Sequence, residues 1–397
     1  MTLNDCLILS NIGIGIGFNS VDEEKCCIVN SDTLNCDENG RITNINWNGY
    51  GLEGTFDNAI FNLTKLQVLD WSSNRLQGSL TRIGESLQYL YLGDNYLTGP
   101  IPNIPDGLQV LSLFENRMNG SLPTLPDSLY GVDISYNNFV GRLPDKWSAN
   151  LSFVDVGNCN FIGELPEFPY NMTIFYADHN LLNGTLPKFN PNLLSLNIEF
   201  NKFNTTVPEL PQYMEIFLAS SSGIHGTLST IPDSMSILDL SDNQIFGNIQ
   251  INEPEIVYLQ WNLLTGISIK NTDSMSRCDI SGNPVFYDQI KTIAPFCRIN
   301  GILYRDVPNP SSDNSGFQIY YFALFFGGAA IIVILLILGF KIKDYYTKRQ
   351  EMRQGDMSRS SIGLKSFSRT NSILPFRPNP FSKSDRRKSQ LLLSNLA

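Results

Sequence analysis

The chain has 397 residues and a formal net charge of −10, spread unevenly. From Lys341 onward 13 Lys and Arg stand against 4 Asp and Glu, a balance of +9. Residues 1–340 therefore hold 15 basic and 34 acidic residues, a balance of −19. An acidic body with a short basic tail and no binding motif excludes nucleic acid as a partner, and the length is too great for one compact core.

Residues 1–40 hold Cys6, Cys26, Cys27 and Cys36, which allow three pairings. The run Gly13-Ile14-Gly15-Ile16-Gly17 has neither the spacing nor the strand–helix setting of a phosphate loop. Residues 1–20 show no basic n-region, so either a secretory signal lies upstream of Met1, the favoured reading, or translocation takes an unusual route.

From residue 41 the chain repeats. The stretch Leu129, Val132, Ile134, Asn137, Phe139, Gly141, Leu143, Pro144 reads L-x-x-L-x-L-x-x-N-x-L-x-G-x-L-P. Its Asn position recurs at Asn74, Asn95, Asn116, Asn137, Cys159, Asn180, Asn201, Ser222, Asn243, Asn262 and Asn283, with eight of ten gaps equal to 21 residues. An earlier unit runs from Ile42 to Gly54. Alternation at L-x-L predicts a short strand with one buried face. Such a unit must stack on its neighbours to share a core. The Asn amide is placed to bond backbone groups of adjacent coils, and Cys159 and Ser222 are small enough to substitute.

This pattern resembles the leucine-rich repeat family over roughly residues 40–288, and its L-x-G-x-L-P half resembles the plant-type extracellular class. The resemblance implies a solenoid of about 12 repeats with a parallel sheet on the concave face. The 21-residue units leave no room for helices, so the convex side is expected to be short extended segments and turns. The adjacent cysteine pair resembles the N-terminal cap of extracellular members, which implies Cys6–Cys26 and Cys27–Cys36.

Asp57 to Lys65 is the one connection long enough for a helical turn. Six N-x-S/T sequons follow, at Asn62, Asn119, Asn150, Asn171, Asn183 and Asn204. With the paired cysteines they point to an oxidising, secretory context and a glycoprotein. Cys278 and Cys297 are read as the disulfide that seals the far end, and Cys159 as a buried member of the Asn row.

Asp306 to Gly316 is a polar linker, and Ile319 to Phe340 is 22 residues without a charge. As a helix that segment reaches about 33 Å, enough for a hydrocarbon layer of about 30 Å. Lys341 and Lys343 place residues 341–397 in the cytoplasm and the repeats outside. The tail is expected to be disordered, basic and Ser-rich, with Ser372 and Ser389 as phosphorylation candidates. It holds neither H-R-D nor D-F-G. The expected organisation is a cap over 1–40, repeats over 41–288, a C-terminal cap and juxtamembrane linker over 289–316, a single transmembrane helix over 317–340 and the tail.

The outward side chains of the strands supply the candidate ligand-binding face. Tyr91, Asp94, Phe114, Glu115, Asp133, Tyr136, Tyr176 and Phe200 are its residues, the first six expected to point to solvent. Across twelve strands this face is about 53 Å long, and only Arg277, at its far end, is basic. Acids and aromatics together suit a cationic or polyhydroxy partner. Asp133 and Asp155 stand on adjacent strands like a glycosidase pair, but the face is open to water. His179 and His225 are the only histidines and lie in no nucleophile or zinc pattern. No enzymatic activity, cofactor or metal is expected. The reading is a plasma-membrane, receptor-like protein that binds an extracellular protein, peptide or glycan and signals, if at all, through a co-receptor or kinase partner. Its rival is a tethered inhibitor or adhesion module resembling polygalacturonase-inhibiting proteins.

Overall fold

Each coil contributes one short strand to a main sheet, three residues long from Val68–Asp70 onward, with one inward residue between two outward ones. The structure, a computed structural model, describes residues 5–12, 26–27, 33–228, 230–285 and 297–298. Its main sheet has 13 strands in simple chain order. Leu34–Cys36 pairs antiparallel with Ile42–Asn46, and all later pairings are parallel: Val68–Asp70, Tyr89–Tyr91, Val110–Ser112, Gly131–Asp133 and onward to Arg277–Asp279. The register keeps like positions together. Leu69, Leu90, Leu111, Val132, Val154, Phe175, Leu196, Phe217, Leu238 and Val257 form one fully buried row.

The Asn row is built as the residues require. In Asn116, Nδ2 donates to the carbonyl of Leu92 one coil earlier (2.9 Å) and to that of Leu113 in its own coil (3.1 Å), while Oδ1 accepts from the Leu97 N–H (2.9 Å). Asn95, Asn137, Asn180, Asn201 and Asn243 repeat these bonds. Each side chain thus closes backbone groups that burial would leave unpaired, at a cost of about 1–3 kcal/mol apiece. Ser222 keeps the donor to Ile198 at 2.8 Å, and the Cys159 thiol reaches the Ile134 carbonyl at 3.5 Å. Tyr50, at this position in the first unit, is exposed instead.

The extended segments expected on the convex side are present after the Asn row, and they pair with one another as hydrogen-bonded strands. Glu53–Thr55, Arg75–Ser79, Tyr96–Gly99, Arg117–Gly120, Asn138–Arg142, Asn160–Gly163, Leu181–Gly184 and Lys202–Phe203 form an eight-stranded parallel sheet. His225–Gly226, Gln244–Ile251 and Leu263–Ile269 form a three-stranded one. The register is stepped: Leu97 pairs with Gly78, Met118 with Gly99, Phe139 with Gly120 and Phe161 with Gly141. The bulky inward residue of each coil therefore lies beside the previous coil's glycine. Those glycines have φ of 82–95°, a region that side chains disfavour.

Both ends of the sheet are closed. Asp57 accepts from Ala59 N at the start of the 3-10 turn Asn58–Asn62, the one such turn among the described residues. The helix Asp5–Asn11 covers the first coil: Asp5, 1% exposed, takes the Ile42 N–H at 2.9 Å and pairs with Arg41 at 3.0 Å. The disulfides are Cys6–Cys26, Cys27–Cys36 and Cys278–Cys297, as expected. The glycine run, the linker, the apolar segment, Ser372 and Ser389 lie outside the described residues. Among the described residues no helix is long and apolar enough to cross a membrane.

Candidate functional site

Four outward rows cross the main sheet, one residue per coil. The row at the first strand position reads Val68, Tyr89, Val110, Gly131, Phe153, Ile174, Ser195, Ile216, Ile237, Ile256 and Arg277. It was not anticipated, because it occupies a variable position of the repeat and yet is mostly apolar. The next row begins Asp70, Tyr91, Ser112, Asp133, Asp155 and Tyr176. The third includes Phe114, Asp178, Glu199 and Gln260. The fourth is a ridge: Ser73, Asp94, Glu115, Tyr136, Asn158, His179, Phe200, Ser221, Asp242 and Trp261 all have φ between 47° and 61°.

The eight candidate residues fall on this one face, on the second, third and fourth rows. Tyr91, Asp94, Phe114, Glu115, Tyr136, Tyr176 and Phe200 are partly covered rather than fully turned to solvent. Asp133 is a clear departure at 7% exposure. Its Oδ1 accepts the Ser135 N–H (3.1 Å) and hydroxyl (2.7 Å). Asp70, Asp239 and Asp279 bind the serine two residues on in the same way. These D-x-S pairs tie down the strand exit, so one carboxylate oxygen of each is already engaged. Alternation correctly sends the side chain outward, but the local serine then folds it against the backbone.

Aromatic density is greatest in the early coils. Tyr89 donates to Gln109 Oε1 at 2.9 Å. Burial, then the neighbouring hydroxyl of Tyr130 and the charge of Asp70, push the Tyr91 phenol well above its ordinary value. Tyr130 is pushed up to about 12 by burial and by Tyr89. Both remain neutral donors at physiological pH. Sequence reasoning missed Tyr89, the first residue of its strand, and Tyr130, which immediately precedes Gly131–Asp133.

Acids gather in the middle. The carboxylates of Asp155 and Asp178 turn toward Gly157, where an added methyl would lie 2.6 Å from Asp178 Oδ1 and 3.1 Å from Asp155 Oδ1. Asp178 Oδ2 meets His179 Nδ1 at 2.9 Å and accepts from Asn158 at 2.8 Å. The His179 ring packs on Phe200, with centroids 4.3 Å apart. Glu199 accepts from Ser220 at 2.5 Å. The face offers hydrogen-bond acceptors and ring faces but little positive charge. The glycosidase idea finds no support in Asp133 or Asp155, each engaged with its own strand exit.

The sequons occupy other surfaces. Asn62, Asn119, Asn150, Asn171, Asn183 and Asn204 are all exposed. Asn119 and Asn183 lie on outward positions of the second sheet and Asn204 just beyond its last strand. Asn150 and Asn171 each donate to a carbonyl of the preceding coil. A recess of about 570 Å³ lies away from the rows, lined by residues including Leu228, Ile231, Asn248, Gln250 and Ile267.

The profile of the Leucine Rich Repeat family matches residues 86–108, one coil of the stack just described. The described coils have the leucine-rich repeat fold. Its fold is similar to that of the ectodomain of GASSHO1/SCHENGEN3, a plant membrane receptor kinase from Arabidopsis thaliana solved in complex with CASPARIAN STRIP INTEGRITY FACTOR 2. That match has a TM-score of 0.58 at 20% identity and covers 71% of this chain but only 42% of that one. A plant ice-binding protein is also similar, with a TM-score of 0.51 at 21% identity, covering 62% of this chain and 88% of that one. No curated protein matches in sequence. At these identities the likeness concerns the leucine-rich repeat fold.

Proposed function

We propose that this leucine-rich repeat protein is a non-catalytic, receptor-like protein of the plasma membrane. Its concave face binds an extracellular peptide, protein or glycan. The observation that carries the reading is the face itself: partly covered aromatics in the early coils and carboxylates through the middle, with its Lys and Arg confined, among the described residues, to the far end at Arg277 and at Arg298 beside Asp279. Burial of rings with a rim of directed acceptors suits recognition more than chemistry.

Three disulfides and six exposed sequons support an extracellular setting for the repeats. The uncharged stretch Ile319 to Phe340 followed by Lys341 and Lys343 supports a single anchor with a cytoplasmic tail. A co-receptor or kinase partner would relay any signal, a reading supported by the substrate-like serines Ser372 and Ser389 in the basic tail. The similar Arabidopsis ectodomain, solved with its own binding factor, shows the same fold serving recognition in another protein.

The test uses the full chain on intact cells, epitope-tagged after Ala397, with panels of extracellular peptides and oligosaccharides. Protease should remove the repeats and spare the tag. Tyr91→Ala with Phe114→Ala should weaken the best ligand by tenfold or more at unchanged surface level. A protected ectodomain, or a ligand indifferent to both substitutions, would sink the reading.

A further inference from the structure

The chain has four tryptophans, of which Trp47, Trp71 and Trp147 are buried, whereas Trp261 is 48% exposed. Trp261 stands on the left-handed ridge. Its ring lies over Gly282 of the next coil, where an added methyl would come within 2.7 Å of Cε3. The glycine gives the indole a flat seat, so the ring is held in place while much of it stays open.

The residue before it is unusual in another way. Gln260 is 3% exposed, and its side-chain oxygen has no hydrogen-bond partner among the described residues. Its row neighbours Ser241 and Ser281 each donate to an aspartate two residues back at 2.6 Å. In this coil Tyr258 replaces that aspartate, between Asp239 and Asp279 on the paired strands. Inward Leu259 is fully buried, so alternation puts Tyr258 and Gln260 on the outward side. Buried amides are normally paired, and here the partner must come from outside the coil.

We propose that Tyr258, Gln260 and Trp261 form a subsite for an extended peptide carrying Lys or Arg, a proposal that rests on the concave face being the ligand surface. The cationic side chain lies over the open face of Trp261, an arrangement favoured by the ring quadrupole. Asp242 precedes Trp261 on the ridge, and Asp239 flanks Tyr258 on the side away from Arg277 and Arg298, adding negative potential. The Gln260 oxygen accepts a peptide N–H. A neutral sugar would satisfy the amide alone.

Because Trp261 is the one exposed tryptophan of the four, acrylamide quenching of the purified full chain reads this subsite. Hexalysine, hexaglutamate and cellohexaose are titrated in turn, with total binding followed by calorimetry. Hexalysine should reduce quenching by at least half. Gln260→Leu should weaken that protection tenfold or more with an unchanged melting temperature, and Trp261→Phe should abolish the quenchable emission. Protection by cellohexaose instead would overturn the peptide assignment. If hexalysine binds by calorimetry while Trp261 stays equally quenchable, the cation sits elsewhere; the subsite fails but the ligand face stands. If no probe binds, both lose their support.

Discussion

The ring of Phe114 fills the space above Gly93: a methyl group at Gly93 would stand 2.0 Å from Cε1. Both belong to the third outward row, one coil apart, so the aromatic candidate depends on a glycine elsewhere. Gly93→Ala should therefore destabilise the fold by about 1–3 kcal/mol, the usual range for overpacking. Adding Phe114→Ala should recover most of the loss. Urea midpoints of the single and double variants give the answer, and an unperturbed Gly93→Ala protein would mean the ring moves freely aside.

Asn116→Ala removes two donors to carbonyls of two coils and the acceptor of the Leu97 N–H. Leaving those groups buried and unpaired should lower stability by about 1–3 kcal/mol or more. Tyr96→Ala, at an exposed position of the adjoining strand, should change it by under about 0.5 kcal/mol. Equal effects in thermal melts would contradict the ladder account.

Burial pushes the Cys159 thiol up to about 12, with nearby backbone N–H groups opposing the shift and the carboxylates of Asp155 and Asp133 adding to it. The folded value lies above that of a free thiol, roughly 8.5. This group's contribution is thus fully present below about pH 8.5 and falls as pH rises toward 12. Iodoacetamide at pH 8 should leave the native protein unmodified and label one thiol after unfolding with the three disulfides intact. Rapid native labelling would place the thiol at the surface.

The sequons should carry glycan without supporting the fold. Changing Asn119, Asn183 or Asn204 singly to Gln should remove one glycan mass each and leave the melting temperature within a degree or so, since exposed substitutions rarely alter stability. Mass spectrometry of the secretory-route protein decides it. Unmodified asparagines at all three would argue against that route.

Much of the architecture was readable because burial and hydrogen bonding recur with the chain's own period. Leu69 through Cys278 mark the core row, and Asn74 through Asn283 the ladder. The second sheet was harder. Arg75-Leu76-Gln77-Gly78 alternates correctly, but glycine and polar letters also describe a turn, and only the stepped pairing of Leu97 with Gly78 makes it a strand. Asp133 was misjudged because periodicity assigns a side chain to a face without saying what Ser135 then does with it. Tyr89, Ile174, Ile216 and their row were overlooked for a related reason: an outward apolar residue looks ordinary until the coils are stacked. Gln260 could not be singled out, since its lack of a partner exists only in three dimensions.

The left-handed ridge has a consequence for how such a protein can change. Ten successive coils hold a non-glycine residue there at φ near +50° to +60°, although that conformation costs on the order of 1–2 kcal/mol each. Backbone bonds to the next coil fix it, as Ser73 N to Gly93 O and Asp94 N to Phe114 O show. The constraint is thus met by the main chain alone, and serine, glutamate, tyrosine, histidine and tryptophan all occupy the same geometry. Ridge residues can be exchanged without renegotiating the core, so partner preference can drift letter by letter while the scaffold beneath stays unaltered.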